Sequence, residues 1–570
     1  MKLRTSFFNG RVLLKNLGRF APLWILFAVA EVLGLLSLDL GSEACYIVED
    51  LGYIMGPVTI FHAAYALLVA ACLFGDLFDS RLCNGLHAMP MKREGWLITN
   101  LASGLVFALI PALVGGIFGA MVLREYWWVA LAWQAVSLLQ FVFFFGVAVF
   151  SAMCAGKRLG MIAIFAILNF LSMLIYWLVT MIYEPLLPGV IVSDDWFSLF
   201  CPFVTMVKSS YYEINISYTE AGTTAVFEGY TPEAWIYLFV CTGIGVVFTV
   251  LSWLLYRRRH LETAGDFISF RPMRSFFLLS YTLAVGAFVY SFGELFGIYR
   301  DYGFLVVGIL IGFFTGWMLL ERTVKIFTGK MLLGFAAFAV VFAASLGITA
   351  WDPLGIASYV PEVEKVEKAC MYLQQDRFYY ESNDLAKGWY VTDPAEIAEI
   401  TRLHGQLTQA PEQTEGEYVT VYVRYELKDG FHVYRSYQVP TQTQLSEELG
   451  SHFSDIRSVL ATADVEAIRN NLLWASVYIE GGEVRCDLED PQQLQQLFAA
   501  IEADSEAGAL AQHDYFHAGQ EYVAGVDLTW ERTLVGRYNG DVRESYGTYI
   551  AVYEDCEHVR AFLETLDEKQ

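Results

Sequence analysis

Apolar runs long enough to cross a bilayer follow one another through the first 350 positions of the chain. They lie near 20–40, 53–76, 97–123, 126–153, 161–183, 234–256, 275–299, 303–320 and 331–350. A hydrocarbon core of about 30 Å needs roughly 20 apolar residues in a helix. LASGLVFALIPALVGGIFGAMVL and MLLGFAAFAVVFAASLGITA meet that length. The pattern predicts nine transmembrane helices. Ahead of them, RTSFFNGRVLLKNLGRF sets apolar residues at helical spacing among basic ones and holds no acid. Residues 1–19 therefore predict an amphipathic helix lying in a membrane interface. The basic region is too long for a signal peptide, and no cleavage-like site follows it.

Beyond position 350 the periodicity changes, and residues 351–570 predict an extracytoplasmic α+β domain. WYVTDPAEIAEITRLHGQL reads as a strand, then a helix with Asp393 as N-cap, Pro394 at its first position and Glu396 closing a capping box. VRCDLEDPQQLQQLFAAI repeats this grammar with Asp490, Pro491 and Gln493, and YIAVYEDCEHVRAFLETL does so more weakly with Asp555. Between them, YVTVYVRYELKDGFHVYRSYQVP predicts a hairpin turning at Asp429-Gly430. Two or three strand–helix units result, each with an amphipathic helix to lay on a sheet. The domains expected are thus an interfacial helix (1–19), a six-span core (20–256), a cytoplasmic linker with three further spans (257–350) and the α+β domain (351–570).

Charge sharpens the division. Residues 1–350 hold 21 Lys+Arg and 21 Asp+Glu, which leaves 16 and 40 for residues 351–570, so the net charge of −24 belongs to the second part. Such acidity argues against binding nucleic acid. With the N-terminus inside, 18 of the 21 basic residues fall in inner segments; the outer loops hold only Arg124, Lys208 and Arg300. Positive charge is retained on the cytoplasmic side. A multi-pass protein of the cell membrane follows, with a cytoplasmic N-terminus and the acidic domain outside.

Catalytic signatures are missing from the sequence. There is no GxxxxGK[ST], HExxH or GxSxG. The nine cysteines show no zinc spacing. His513 and His517 stand at i, i+4, which suits either a weak metal pair or two surface histidines. No cofactor and no enzymatic activity of the chain's own are expected. Two buried ionisable residues are more informative. Glu31 in the first span and His62 in the second fall at similar depth, roughly 14 Å below the outer surface at 1.5 Å per residue. They suit either a polar site on a translocation path or a structural hydrogen bond between neighbouring helices. In the eighth span Gly308, Gly312 and Gly316 form two overlapping GxxxG motifs, which let another helix approach closely.

The inner segments carry a resemblance. FGDLFDSRLCNGLHAMPMKREGW, between the second and third spans, holds Gly85, Leu86, Pro90, Lys92 and Arg93 in an order that resembles the first inner loop of ABC transporter permeases of the second type. The small hydroxyl residue common before the Pro in that family is replaced here by Ala88-Met89. YRRRHLETAGDFISF, after the sixth span, resembles the family in Arg258, Arg259, Glu262, Ala264 and Gly265. The likeness covers about residues 1–270. Three extra spans and an outer domain resemble a Gram-positive subgroup of these permeases.

The resemblance implies a transport subunit, for export or resistance, powered by a separate cytoplasmic ATPase and paired with a second copy or a paralogue. The first inner loop would be the docking segment, with Gly85 and Pro90 breaking the membrane helices. Leu82, Leu86 and Met89 would form its apolar stripe. Arg258, Arg259, Glu262 and Gly265 would be a second contact. An ordinary cytoplasmic turn is the plainer reading of the same loop. The rival function is a membrane sensor whose outer domain detects an envelope ligand and signals to a cytoplasmic partner.

Overall fold

Each apolar run folds as a helix. A computed structural model of the chain describes residues 8–38, 44–87, 92–219, 222–259, 264–296, 302–325, 327–373, 390–410, 418–440, 443–460, 465–479, 484–510, 522–536 and 540–567. It divides into two units, one of residues 1–178 and 194–342, the other of residues 179–193 and 343–570.

The first unit opens with α1 (Gly10–Arg19), whose first turn is capped by the Asn9 side chain accepting from the amides of Arg11 and Val12. A bend of 64° leads into α2 (Ala21–Leu36). Then come α3 (Ala44–Leu73), α4 (Ser80–His87), α5 (Arg93–Leu123), α6 (Trp127–Cys154) and α7 (Arg158–Leu178). After α7 the chain leaves this unit, forms β1 (Val190–Ile191), and returns as α8 (Asp195–Leu199) and α9 (Pro202–Lys208). A hairpin of β2 (Tyr212–Thr219) and β3 (Gly222–Tyr230) precedes α10 (Pro232–Arg258), α11 (Arg271–Leu295), α12 (Tyr302–Glu321) and α13 (Gly329–Trp351).

Among the described residues, eight helices are long and apolar enough to cross a membrane: α3, α5, α6, α7, α10, α11, α12 and α13. The first expected span is shorter than its apolar run. α2 has 16 residues, about 24 Å of helix, and passes as a span only together with the bent α1. Leu109, Leu113, Ile117 and Met121 on α5, and Ile236, Phe239 and Val247 on α10, are exposed. Such rows of oily side chains suit hydrocarbon rather than water.

α6 is the hub of the first unit and packs against α3, α5, α7 and α10. It meets α10 backbone to backbone: a Cβ on Gly146 would lie 2.1 Å from the Gly245 carbonyl oxygen. Gly308, Gly312 and Gly316 are buried on α12 where it packs on α11. A Cβ on Gly308 would fall 2.8 Å from Val289 Cβ, on Gly312 2.9 Å from the Thr282 oxygen, and on Gly316 3.0 Å from Tyr281. All three glycines allow that close approach.

The second unit holds two four-stranded antiparallel sheets, each with its own core. The first has the order β1, β6 (His432–Pro440), β5 (Tyr418–Leu427), β4 (Val366–Leu373), with α14 (Pro394–Leu407) and α15 (Gln444–Phe453) completing its core. Short α16 (Ile456–Val459) and α17 (Val465–Asn470) lead to the second sheet, ordered β10 (Gly540–Tyr553), β9 (Tyr522–Gly536), β7 (Leu472–Ile479), β8 (Val484–Leu488). α18 (Pro491–Glu506) and α19 (Glu557–Asp567) pack on that sheet's core. The hairpin at Asp429-Gly430 forms as expected, with Gly430 at φ +83°.

The N-caps at Asp393 and Asp490 form, the first accepting from the amides of Ala395 and Glu396 and the second from that of Gln492. Glu396, expected to close a capping box, is instead paired with Arg457 at 2.5 Å. The first turn of α19 is held by Asp504 of α18, 1% exposed, which accepts from the amides of His558 and Val559 and from His558 Nδ1. A buried carboxylate from a distant helix thus holds this turn.

The two units part at 343, within α13, and the second also takes in residues 179–193. Val190 pairs with Arg435 and Ile191 with Tyr434, and the Gly189 carbonyl accepts from the Ser436 amide. Gly189 lies at φ +75°, and a Cβ there would sit 2.3 Å from the Tyr437 ring. Only glycine suits that turn.

Beneath this edge lies His404, fully buried, with Nδ1 3.1 Å from the Tyr425 hydroxyl and Nε2 3.0 Å from the Tyr437 hydroxyl. Burial, and then the Arg435 charge, push its pKa from 6.5 down to about 3. Between these values the unfolded chain binds a proton that the folded chain refuses, so stability falls as pH falls through that window. The loss should reach about 1.4 kcal/mol per pH unit. Thermal melts between about pH 7 and pH 4 are expected to lose this slope in His404→Gln. An unchanged slope in the variant would exclude His404 as its source.

Candidate functional site

Two places in the first unit gather the residues singled out by sequence. The first is the end where α3, α5, α6 and α10 turn. α3 stops at Leu73, and a tight helical turn, Gly75–Phe78, brings the chain to Asp79. Asp79 Oδ1 accepts from the amides of Arg81 at 2.8 Å and Leu82 at 3.2 Å, which starts α4. Gly85 lies inside α4 and breaks nothing; the break belongs to residues 74–79. A single glycine costs a short helix only about 1 kcal/mol, which a side-chain N-cap of similar worth offsets.

α4 is anchored on one side and open on the other. Cys83 is 2% exposed in the core beside buried Phe74 and Leu77, whereas Leu82 is 54% exposed. Arg81 and Gly85 share the exposed side of the helix. Leu86 belongs to the last turn of α4, while Met89 and Pro90 lie outside the described residues. Lys92 is exposed at the start of α5. Arg93 turns inward: its guanidinium lies 5.2 Å from the Tyr256 ring centroid and donates to the Arg259 carbonyl at 3.1 Å.

The expected second contact separates into different roles. Arg258 is exposed, Glu262 lies outside the described residues, and Gly265 forms a turn at φ +95° whose amide donates to the Gly156 carbonyl. Arg259 is not a surface group. It is 4% exposed and donates to the carbonyls of Ala152 at 2.8 Å, Met153 at 3.0 Å and Leu77 at 3.2 Å. The last carbonyls of a helix have no partner within it, and a guanidinium offers five donors in a fixed fork. Arg259 therefore ties the end of α6 to the turn that precedes α4.

The second place lies inside the helices. Glu31 on α2 and His62 on α3 do meet: Oε1 lies 3.5 Å from Nε2, and the residues are 6% and 3% exposed. Two glutamines of α6 join them. Gln134 Nε2 donates to Glu31 Oε2 at 3.2 Å, and Gln140 Oε1 lies 2.7 Å from His62 Nδ1. Gln140 Nε2 in turn donates to Thr59 Oγ1 at 3.0 Å and to the Tyr211 hydroxyl at 3.1 Å. Phe27 stacks on Tyr65 beside the pair, and Tyr65 donates to the Phe107 carbonyl. The cluster thus links α2, α3 and α6 to the segment before β2.

Gln134, Ser137 and Gln140 were legible as polar residues in an apolar run at i, i+3 and i+6, yet the sequence does not say which helix they face. No group of three or more His, Cys, Asp or Glu is placed to hold a metal among the described residues. His513 and His517 lie outside them. Protein-family models, curated proteins and solved structures offer no match to this chain.

Proposed function

We propose that the chain is the membrane-spanning subunit of an ABC transporter of export or resistance type, worked by a separate cytoplasmic ATPase that docks on α4. The observation that carries this reading is α4 itself. It is a short capped helix between two long apolar helices, held by buried Cys83 and presenting Leu82 outward. A rigid perch with an exposed apolar residue is what a partner groove takes. The resemblance in Gly85, Leu86, Pro90, Lys92 and Arg93 supports the same role, and the 18-to-3 distribution of basic residues favours a cytoplasmic position for this end. With no P-loop in the sequence, ATP hydrolysis would fall to the partner in this reading. Lipid, the ATPase and a second copy or paralogue are the expected partners. The part of the second unit that follows α13 would stand outside the membrane.

The test is affinity purification of the full chain from its native membranes, with ATP hydrolysis measured in the eluate. The expected result is a complex that survives detergent extraction and hydrolyses ATP. A chain that purifies without the ATPase would overturn the reading. One feature favours a sensor as the second reading: residues 179–193, between two long apolar helices, belong to the second unit. A sensor would bind a cytoplasmic partner that is no ATPase, so the activity of the complex separates the two.

A further inference from the structure

The Glu31–His62 pair closes one side of a small cavity with room for about one water molecule. Gln134 and Ser137, each 6% exposed, line it with Phe27 and Phe141. Three polar atoms there have no protein hydrogen-bond partner: His62 Nε2, Gln134 Oε1 and Ser137 Oγ. Orphaned polar atoms in a buried site destabilise a fold, and a cavity that collects them is where a buried water belongs.

The hydrogen-bond pattern also counts protons. Gln140 directs its amide nitrogen to Thr59 and Tyr211, so its oxygen accepts and His62 Nδ1 carries the hydrogen. The remaining ring nitrogen, Nε2, faces Glu31 Oε1. With no proton between them, a lone pair meets a carboxylate and the site is negative. With two protons, donor faces donor and the site is positive. One proton leaves the pair neutral, which an apolar wall favours. At 3.5 Å the two atoms are too far apart for a direct bond. A water that accepts from Ser137, donates to Gln134 Oε1 and touches both partners completes the set.

We propose that this pocket is a binding site for one water molecule and one mobile proton. The proton sits on Glu31 or, after passing through the water, on His62 Nε2. The site is neutral either way, so the helix carrying Glu31 can remain against α3 and α6. Glu31 and His62 are the two titratable groups lining the pocket. The measurements below read the pocket and not transport, so they hold whichever partner meets α4.

The full chain in lipid nanodiscs provides the test. In solid-state NMR of ¹⁵N-histidine-labelled protein, the His62 signal, identified by its loss in His62→Asn, is expected to show a protonated Nδ1. In Glu31→Gln the amide donates to Nε2, and His62 is expected to become a fixed neutral ring with the protein still folded. A density map that resolves waters should show one peak within hydrogen-bond distance of Gln134 and Ser137. A bare Nδ1 or an empty cavity would overturn the proposal. So would a melting temperature that rises when sodium replaces choline, which would place a metal cation in the pocket.

Discussion

Leu82→Asp is expected to strip the ATPase from the purified complex while leaving the chain's abundance in the membrane unchanged. Leu82 is 54% exposed, so the substitution removes little packing inside the chain. Asp79 still caps α4, and Cys83 still anchors it. What changes is the surface offered to a partner. A carboxylate placed in an apolar groove loses its water and gains no counter-charge. A penalty of about 3 kcal/mol corresponds to roughly hundredfold weaker binding. Pull-down of the ATPase with the full-length variant reads this directly. Leu82→Met, which keeps an apolar surface, should retain the complex. An intact complex in Leu82→Asp would move the docking surface away from α4.

Gly146→Leu should leave almost no monodisperse protein after detergent extraction. The first leucine carbon alone would lie 2.1 Å from the Gly245 oxygen, and a Cβ on Gly245 would lie 2.5 Å from Phe143 Cα. These are backbone atoms of two helices, so no side chain can turn aside. α6 and α10 would have to separate. Because α6 also packs on α3, α5 and α7, the shift spreads through the unit. Overpacking that a side chain can absorb costs 1–3 kcal/mol, and a backbone collision exceeds that. In material that folds, the melting temperature should drop by about 10 °C or more. Gly243→Leu is the control: it lies on the same α10, and nothing comes within 4 Å of a Cβ there. A variant at 146 that elutes and melts like the parent would show that the helices do not touch at this point.

Features set by local chemistry were legible in the sequence. The apolar runs located the long helices, as in 234–256 against Pro232–Arg258, although α3 begins at Ala44, well ahead of its run at 53–76. Asp393, Asp490 and the Asp429-Gly430 turn act through neighbours in the chain, and each was readable. Features set by distant partners were not. Arg259 looks like one more loop cation until the bare carbonyls at the end of α6 come to it. Asp504 looks like a helix-surface acid, yet it holds the first turn of α19 across 54 positions. Glu31 and His62 were readable as a pair at equal depth, whereas Gln134 and Gln140 required the rotation of α6 about its own axis. The backbone approach of α6 and α10 at Gly146 and Gly245 is flagged by no GxxxG motif, because each helix supplies one glycine and the pair exists only once the helices cross.

The two-residue strand β1 also puts a clock into the making of this protein. Val190 and its partner Arg435 stand 435 − 190 = 245 positions apart. A ribosome adding 5–20 residues per second needs roughly ten to fifty seconds to travel that distance. Throughout that time Gly189 waits for the Tyr437 ring, and the edge of β6 does not yet exist. Once β6 is made, its edge offers unpaired backbone to any passing strand until the early segment is captured. A nascent chain cut anywhere between these two positions keeps the waiting segment and loses what it waits for. The second unit therefore cannot be grafted onto another chain by moving its C-terminal portion alone, because part of its sheet was translated before α10 began.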